Sequence, residues 1–276
     1  MDTQSLFSNK EKKKENKVKK FIAAGKDIDD KPLLFGLEKS NKSQLKYGSS
    51  QKRFEWISQG SVDLAFISSI DFSRLKGGWK VLPNICKSSK GFSMRTALFF
   101  NKNLTDIESI AIPNNARTSE IVLKIILKEL HQIETKFIKF SGPLSESLMK
   151  CDAVLLTGDQ AVYESEKNPF HIDLGEEWFD LTGLPLVYGF WIGNELTTEK
   201  KDYQKLLDSL NLGMENIPSI AEQAGEKKEY IRNYLSSTIN YSLKDEEQAA
   251  LDELYRFSFF YGFADYIPDF NFAEVG

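Results

Sequence analysis

Residues 173–191, DLGEEWFDLTGLPLVYGFW, constrain the fold of this chain more than any other segment. They combine an acidic stretch typical of a helix, a Thr-Gly-Leu-Pro break and an apolar run typical of a buried strand. Two further segments, VDLAFISSIDF at 62–72 and ARTSEIVLKIIL at 116–127, place polar loops beside apolar strand and helix patterns. Together the three segments predict an α/β protein of two lobes with a cleft between them.

Short apolar strands alternate with helices over the first part of the chain, which is typical of mostly parallel sheets. An apolar stripe predicts a helix at 119–130, and the signals from 198 to 264 are helical throughout. We therefore expect an α/β fold with a helical C-terminal region. The predicted strands include 20–24, 62–67, 95–100, 109–112, 136–140 and 153–156.

The chain is expected to cross between the lobes near 98–100 and again near 186–190. Lobe 1 is then predicted to combine 20–98 with 190–276, and lobe 2 to cover 99–189. Residues 1–19 are polar and rich in lysine, with no apolar run behind the charges. This pattern predicts a disordered basic tail rather than a secretory signal or membrane anchor, and hence a cytoplasmic protein.

Composition and charge argue against several functional classes. The net charge is −4 and the sequence pI is about 5.5, whereas nucleic-acid binding needs a strongly basic surface. Cys86 and Cys151 are expected to be reduced, buried thiols, and His131 and His171 fit no metal-ligand spacing. The chain has no P-loop and no G-x-G-x-x-G run, which argues against NTPases and Rossmann dehydrogenases. From the charge, the Cys and His spacing and the lack of a long apolar run, we expect no nucleic-acid partner, no His-based metal site and no membrane partner.

Polar loops follow three predicted strands, at the positions where open α/β sheets bind ligands. The loop at Arg117 opens a helix, whose free N–H groups and partial positive charge attract a carboxylate or phosphate. The chain has six arginines against thirty lysines, which favours a specific role for Arg117, although an ordinary N-cap and a surface charge also fit. The other two loops fit ligand donors or plain turns. The candidate binding residues in these loops are Ser69, Arg117, Thr118, Ser119, Gly158 and Asp159.

Four segments resemble one known family. VDLAFISSIDF resembles the family segment VDLALIPSIEY, and IPNNARTSEIVLKIIL resembles its strand-turn-helix with the core SRTS. CDAVLLTGDQAV is similar to DAALLIGDxAL, and DLGEEWFDLTGLPLVYGFW to YDLGEEWxxLTGLPFVFAxW. The family is the chorismate dehydratase of the futalosine route to menaquinone. The resemblance runs from about 21 to 264, with the motifs in order.

The resemblance implies a periplasmic-binding-protein-like fold of type II, with two α/β lobes around a cleft. It implies conversion of chorismate, a small dicarboxylate, to 3-[(1-carboxyvinyl)oxy]benzoate and water, without cofactor or metal. It keeps Ser69 of the family's Ile-Pro-Ser element and places Thr96 where the family has a serine. Both residues are therefore expected to bind substrate.

One position departs from the family pattern. The family segment SYLNTLPL aligns with KDIDDKPL, so Asp29 replaces an asparagine that faces the substrate. A carboxylate there repels a dianion unless it is protonated or paired. Asp29 is thus a catalytic candidate, with an Asx turn as the plain alternative. Two hypotheses follow: a chorismate dehydratase, or a catalytically changed small-carboxylate-binding protein of the same fold.

Overall fold

A computed structural model describes residues 20–40, 44–140, 142–165 and 167–273. The predicted basic tail, 1–19, lies outside these ranges. The described residues form two five-stranded sheets. Each sheet is the centre of one lobe, and both mix parallel and antiparallel neighbours.

The first sheet is parallel where β1 pairs with β2 and β3, and antiparallel where β10 pairs with β3 and β4. Its inner strands are buried along their length, because their apolar runs are covered on both faces. Its strands are β1 (Phe21–Ala24), β2 (Gln44–Tyr47), β3 (Leu64–Ser68), β4 (Trp79–Ser89) and β10 (Leu186–Asn194). Its helices are a 3-10 turn (Ile28–Asp30), α1 (Lys31–Lys39), α2 (Ser50–Ser58) and α3 (Ser69–Phe72).

The second sheet has the same pattern of parallel and antiparallel neighbours as the first. β6 runs parallel to β7 and β8, and β5 runs antiparallel to β8 and β9. Its strands are β5 (Thr96–Phe100), β6 (Ser109–Ile112), β7 (Lys136–Lys139), β8 (Ala153–Thr157) and β9 (His171–Asp173). Its helices are a 3-10 turn (Leu104–Asp106), α4 (Arg117–Glu129), α5 (Leu144–Leu148), α6 (Asp159–Ser165) and α7 (Leu174–Thr182).

The C-terminal region is helical and packs mainly on the first lobe. Ser209 joins α8 to α1, because its Oγ donates to Leu33 O at 2.9 Å and accepts from Leu37 N at 3.0 Å. Gly213 lets the two helices approach closely, since a Cβ there would lie 2.0 Å from Pro32 O. The region contains α8 (Lys200–Glu215), α9 (Ile217–Ala221), a 3-10 turn (Glu222–Lys227), α10 (Lys228–Asn233), a π turn (Tyr234–Thr238) and α11 (Asp245–Phe260). Within the described ranges, every helix is too short or too polar to cross a membrane.

The chain passes between the lobes in the connections 90–95 and 174–185, where β4 leads to β5 and β9 leads through α7 to β10. The predicted boundaries at 98/99 and 189/190 fall inside β5 and β10, a few residues from these connections, and the predicted lobe limits stay predictions.

Asp173 ties the two crossings together. Its Oδ1 caps α7 by accepting from Gly175 N at 2.8 Å and Glu176 N at 3.0 Å. The same carboxylate accepts from Ser93 N at 3.2 Å and Met94 N at 2.6 Å in the outgoing crossing. One buried side chain thereby satisfies four backbone donors from two separate connections.

Asp173→Ala is expected to lower the free energy of unfolding by about 1–3 kcal/mol, because buried N–H groups lose their acceptor. Urea denaturation measures the change. Asp180→Ala, on the exposed side of α7, is the matched control and should stay within about 0.5 kcal/mol of the parent. Equal losses in the two variants would contradict the cap.

Candidate functional site

A cleft of about 410 Å³ lies between the two lobes. Its volume falls in the range of small-molecule sites. Five cationic side chains and two carboxylates line it, so the cleft suits an anionic ligand. The charged lining residues are Lys26, Arg53, Lys87, Arg95, Arg117, Asp27 and Asp30.

The start of α4 forms one wall of the cleft. Ala116 is its N-cap and offers no side-chain cap, so the first N–H groups lack a partner inside the helix. Arg117, Thr118 and Ser119 all line the cavity there. Thr118 Oγ1 also accepts from Ile70 N at 3.1 Å, which joins the second lobe to α3 of the first. This wall offers backbone donors, hydroxyls and a guanidinium to a carboxylate.

A buried ion cluster lies at the floor of the cleft. Lys87 Nζ is 2.6 Å from Asp29 Oδ1 and 2.6 Å from Asp30 Oδ1. Arg95 Nε is 2.7 Å from Asp29 Oδ2 in an ion pair that lacks hydrogen-bond alignment. Tyr234 donates its hydroxyl to the same Oδ2 at 3.0 Å. The side chains of Lys87 and Asp29 are at most 2% exposed, so the charges depend on one another for neutralisation.

This cluster decides the charge state of Asp29. Burial by itself would raise the pKa of Asp29, but the charges of Arg95 and Lys87 hold it below the ordinary value. Burial likewise opposes the charge of Arg95, whereas Asp29 and Asp27 keep the pKa of its guanidinium above the ordinary value. Asp29 is therefore an ionised, paired carboxylate.

Two arginines are held by groups other than the ligand. Arg95 lies with its guanidinium carbon 4.8 Å from the centre of the Tyr188 ring, a cation–π contact. Arg53 donates from Nε to Phe66 O at 2.7 Å and from Nη1 to Gly48 O at 2.6 Å. These contacts fix the direction of both guanidinium groups before any ligand binds, which reduces the entropy lost on binding.

The lobes also touch directly beside the ion cluster. Ile28 N donates to Asp159 Oδ1 at 2.7 Å, across from the first lobe to the second. Gly158 has a φ of +62°, and a Cβ at this position would lie 2.6 Å from Asp27 Oδ2. Glycine is thus required here both for its backbone conformation and for the approach of the Asp27 carboxylate.

The structure separates the predicted site residues into two groups. Arg117, Thr118 and Ser119 line the cleft together. The others lie behind or beside the lining: Asp29 in the ion cluster, Ser69 donating to Val187 O at 2.6 Å, Thr96 buried without a hydrogen-bond partner among the described residues, and Gly158 and Asp159 at the lobe contact. Their roles toward a substrate stay predictions.

Neighbours of several predicted residues line the cleft in their place. Ser68 does so beside Ser69, Arg95 beside Thr96, and Thr157 beside Gly158. Each pair lies at the end of a strand, where the backbone changes direction, so neighbouring side chains point different ways and one of the two faces the cleft. Sequence reasoning also missed Arg53 and Lys87. The scarcity of arginine was a usable signal, since three of the six line this cleft.

A family model described as menaquinone biosynthesis matches residues 21–259. This chain belongs to that family. A curated relative, the chorismate dehydratase of Thermus thermophilus, is 26% identical over 181 residues, which cover 59% of this chain and 66% of the relative. The chain thus matches just under two thirds of that relative's length.

Solved structures share the fold. A structural-genomics protein of Archaeoglobus fulgidus has a TM-score of 0.72 at 17% identity, covering 89% of this chain and 98% of its own. The periplasmic aliphatic sulphonate binding protein of Escherichia coli has a TM-score of 0.62 at 12% identity, covering 91% and 94%. A Candida albicans protein described as having the generic periplasmic binding protein fold has a TM-score of 0.61 at 12% identity, covering 86% and 89%. The predicted fold and the family resemblance are confirmed.

Lys87→Met is expected to lower the free energy of unfolding by about 3–5 kcal/mol at pH 7, because it leaves buried carboxylates without their shared cation. The folded-state pKa of Asp29 is depressed, so the stability it contributes is present above its unfolded pKa and is lost as pH falls. The difference in the free energy of unfolding between the parent and the variant should therefore become smaller below about pH 4.

Lys90→Met is the matched control, since Lys90 makes an exposed ion pair with Glu246. It should cost at most about 1 kcal/mol. Guanidinium denaturation at pH 3.5 and 7 measures both variants. A Lys87 effect that is small, or that does not change with pH, would contradict the buried cluster.

Proposed function

We propose that the protein is a chorismate dehydratase, which converts chorismate to 3-[(1-carboxyvinyl)oxy]benzoate and water in the futalosine route to menaquinone. The chain belongs to the menaquinone-biosynthesis family, and the observation that carries the proposal is its cleft, to which both lobes supply cations. Chorismate is a dicarboxylate of a size that such a cleft accommodates. The name of the Thermus thermophilus relative supports the same reaction. We place the activity in the cytoplasm.

One carboxylate of the substrate is assigned to the start of α4, with Arg117 and the hydroxyls of Thr118 and Ser119. The other is assigned to Arg95 and Arg53 on the opposite side of the cleft. The proton to be removed lies on the ring carbon that bears the enolpyruvyl ether, and the ring carboxylate acidifies it through the conjugated double bond. Donors that hold this carboxylate stabilise the charge as it develops.

The elimination transfers no electrons, so it needs a base, an acid and charge stabilisation rather than a redox group. We assign the base to the enolpyruvyl carboxylate of the substrate. Asp27, Asp29 and Asp30 have carboxylate oxygens within 4.8 Å of one another, as in a cation site. Lys87 and Arg95 already hold this group, so we propose no metal.

Asp29 replaces the family asparagine, and its pairing removes the main objection to a carboxylate at this place. Both of its oxygens contact cations, so it does not confront the substrate as a bare charge. Its proposed role is to hold Arg95 for the ligand. The same substitution supports a second proposal, a binding protein for another small carboxylate, because the cations it engages are less free to attract a ligand.

Incubation of the purified protein with chorismate separates the two proposals. The dehydratase consumes chorismate and forms the aromatic ether, which liquid chromatography with mass detection follows directly. Binding that raises the melting temperature without turnover supports the binding protein. If chorismate causes neither turnover nor a thermal shift, chorismate is ruled out as the ligand.

Arg117→Ala is expected to weaken binding of a carboxylate ligand about 10-fold or more, because a charge-assisted hydrogen bond contributes about 1.5–3 kcal/mol. Calorimetric titration with chorismate measures the dissociation constant. Arg232→Ala is the matched control, since that arginine is similarly exposed but lies on α10 outside the cleft. An unchanged affinity in the first variant returns Arg117 to the role of a surface charge.

A further inference from the structure

Three carboxylates and two cations meet at the floor of the cleft, and their contacts are unequal. Lys87 lies 2.6 Å from both Asp29 and Asp30, and Arg95 lies 2.7 Å from Asp29. Among the described residues, Asp27 has one ion-pair contact, 3.5 Å from Arg95 Nη2 to its Oδ2. Lys87 and Arg95 thus lie closest to Asp29 and Asp30, and Asp27 has the longest ion-pair distance of the three carboxylates.

Asp27 is also the carboxylate best placed to reach a ligand. Asp29 is buried and does not line the cleft, and the Asp30 side chain is 5% exposed. Asp27 lines the cleft and keeps 44% of its side-chain surface accessible. The charge arrangement and the exposure therefore select the same residue.

We propose that Asp27 is the proton donor of this site and protonates the departing hydroxyl group of the substrate. The inference rests on the proposed dehydratase function and adds the acid that this reaction needs. Asp27 belongs to the first lobe, and its carboxylate lies close to Gly158 of the second, so it faces the cleft where the two lobes meet.

Each proton in the proposed step has a source and a destination. The base takes the proton from the ring carbon that bears the ether, and the electron pair of the broken C–H bond forms the new ring double bond. The C–O bond on the adjacent carbon breaks, Asp27 transfers its proton to that oxygen, and water leaves. Exchange with solvent returns a proton to Asp27 after the product departs.

The surroundings of Asp27 favour its protonated form. Partial burial in the cleft, followed by the charges of Asp30 and Asp29, raises the pKa of Asp27 to about 6, against the opposing charges of Arg95 and Lys87. A second acid across the lobe contact, Asp159, adds negative charge nearby. A dianionic ligand moves the pKa further in the same direction. The groups that face Asp27 from neighbouring elements are Asp29, Asp30, Arg53, Lys87, Arg95 and Asp159.

Kinetics of the parent and Asp27→Asn test the proposal, since the amide keeps the shape but has no proton to transfer. We expect kcat for chorismate to fall about 10²–10⁴-fold. In the parent, kcat/KM should fall as pH rises through about 6, because the acid form is needed, and this limb should vanish in the variant. Asp106→Asn, an exposed acid of the second lobe outside the cleft, is the control and should behave as the parent.

Carbon-13 NMR of the carboxyl groups supplies a readout that needs no turnover. The resonance absent from Asp27→Asn should titrate near pH 6 in the ligand-free parent. A midpoint near the ordinary 4, or a variant with the rate and pH profile of the parent, would overturn the role of Asp27 while leaving the dehydratase intact. A parent that does not turn over chorismate overturns the dehydratase and the acid role together.

Discussion

The structure of the cleft depends on Lys87, a buried cation held between two buried carboxylates. Its ammonium joins β4 to the 3-10 turn that carries Asp29 and Asp30, and Asp29 in turn holds Arg95 at the start of β5. The chain between Lys87 and Arg95 includes the outgoing crossing, so the cluster spans the junction of the lobes. Buried charges tolerate little displacement, because each loses its compensation when a partner moves. The cluster therefore fixes the positions of the charged side chains at the floor of the cleft.

The same cluster distributes charge unequally across the cleft. The positive charge of Lys87 is neutralised internally, whereas the ion pair that Arg117 makes on the opposite wall, within the described part of the chain, is a 3.6 Å contact with Asp71. The cleft thus offers an exposed cation, Arg117, at the start of α4 and a buried, paired one, Lys87, at the floor. A ligand with two anionic groups meets two different environments, which orients it without any contact to its uncharged parts.

Much of the fold could be predicted from the sequence. The strands that were not predicted, β2 and β9, share one physical cause. β3, β6 and β8 are apolar runs with buried side chains, so the sequence pattern alone predicts them as strands. β2 reads QLKY with an exposed or half-buried pattern, and β9 has three residues. Both lie at the edge of a sheet, where pairing with a neighbour rather than local hydrophobicity makes the strand.

The sequence by itself determined the α/β pattern and the position of a polar loop at the start of α4, because periodicity, turn chemistry and helix polarity are local properties. Its resemblance to known motifs identified the family and the two-lobed fold. Only the tertiary structure decided that Asp29 pairs with Lys87, 58 residues away, and that Arg95 rather than Thr96 reaches the cleft. These outcomes depend on the register of two sheets and on contact between the lobes. A charge that looks unfavourable in the sequence becomes acceptable once folding places a cation beside it.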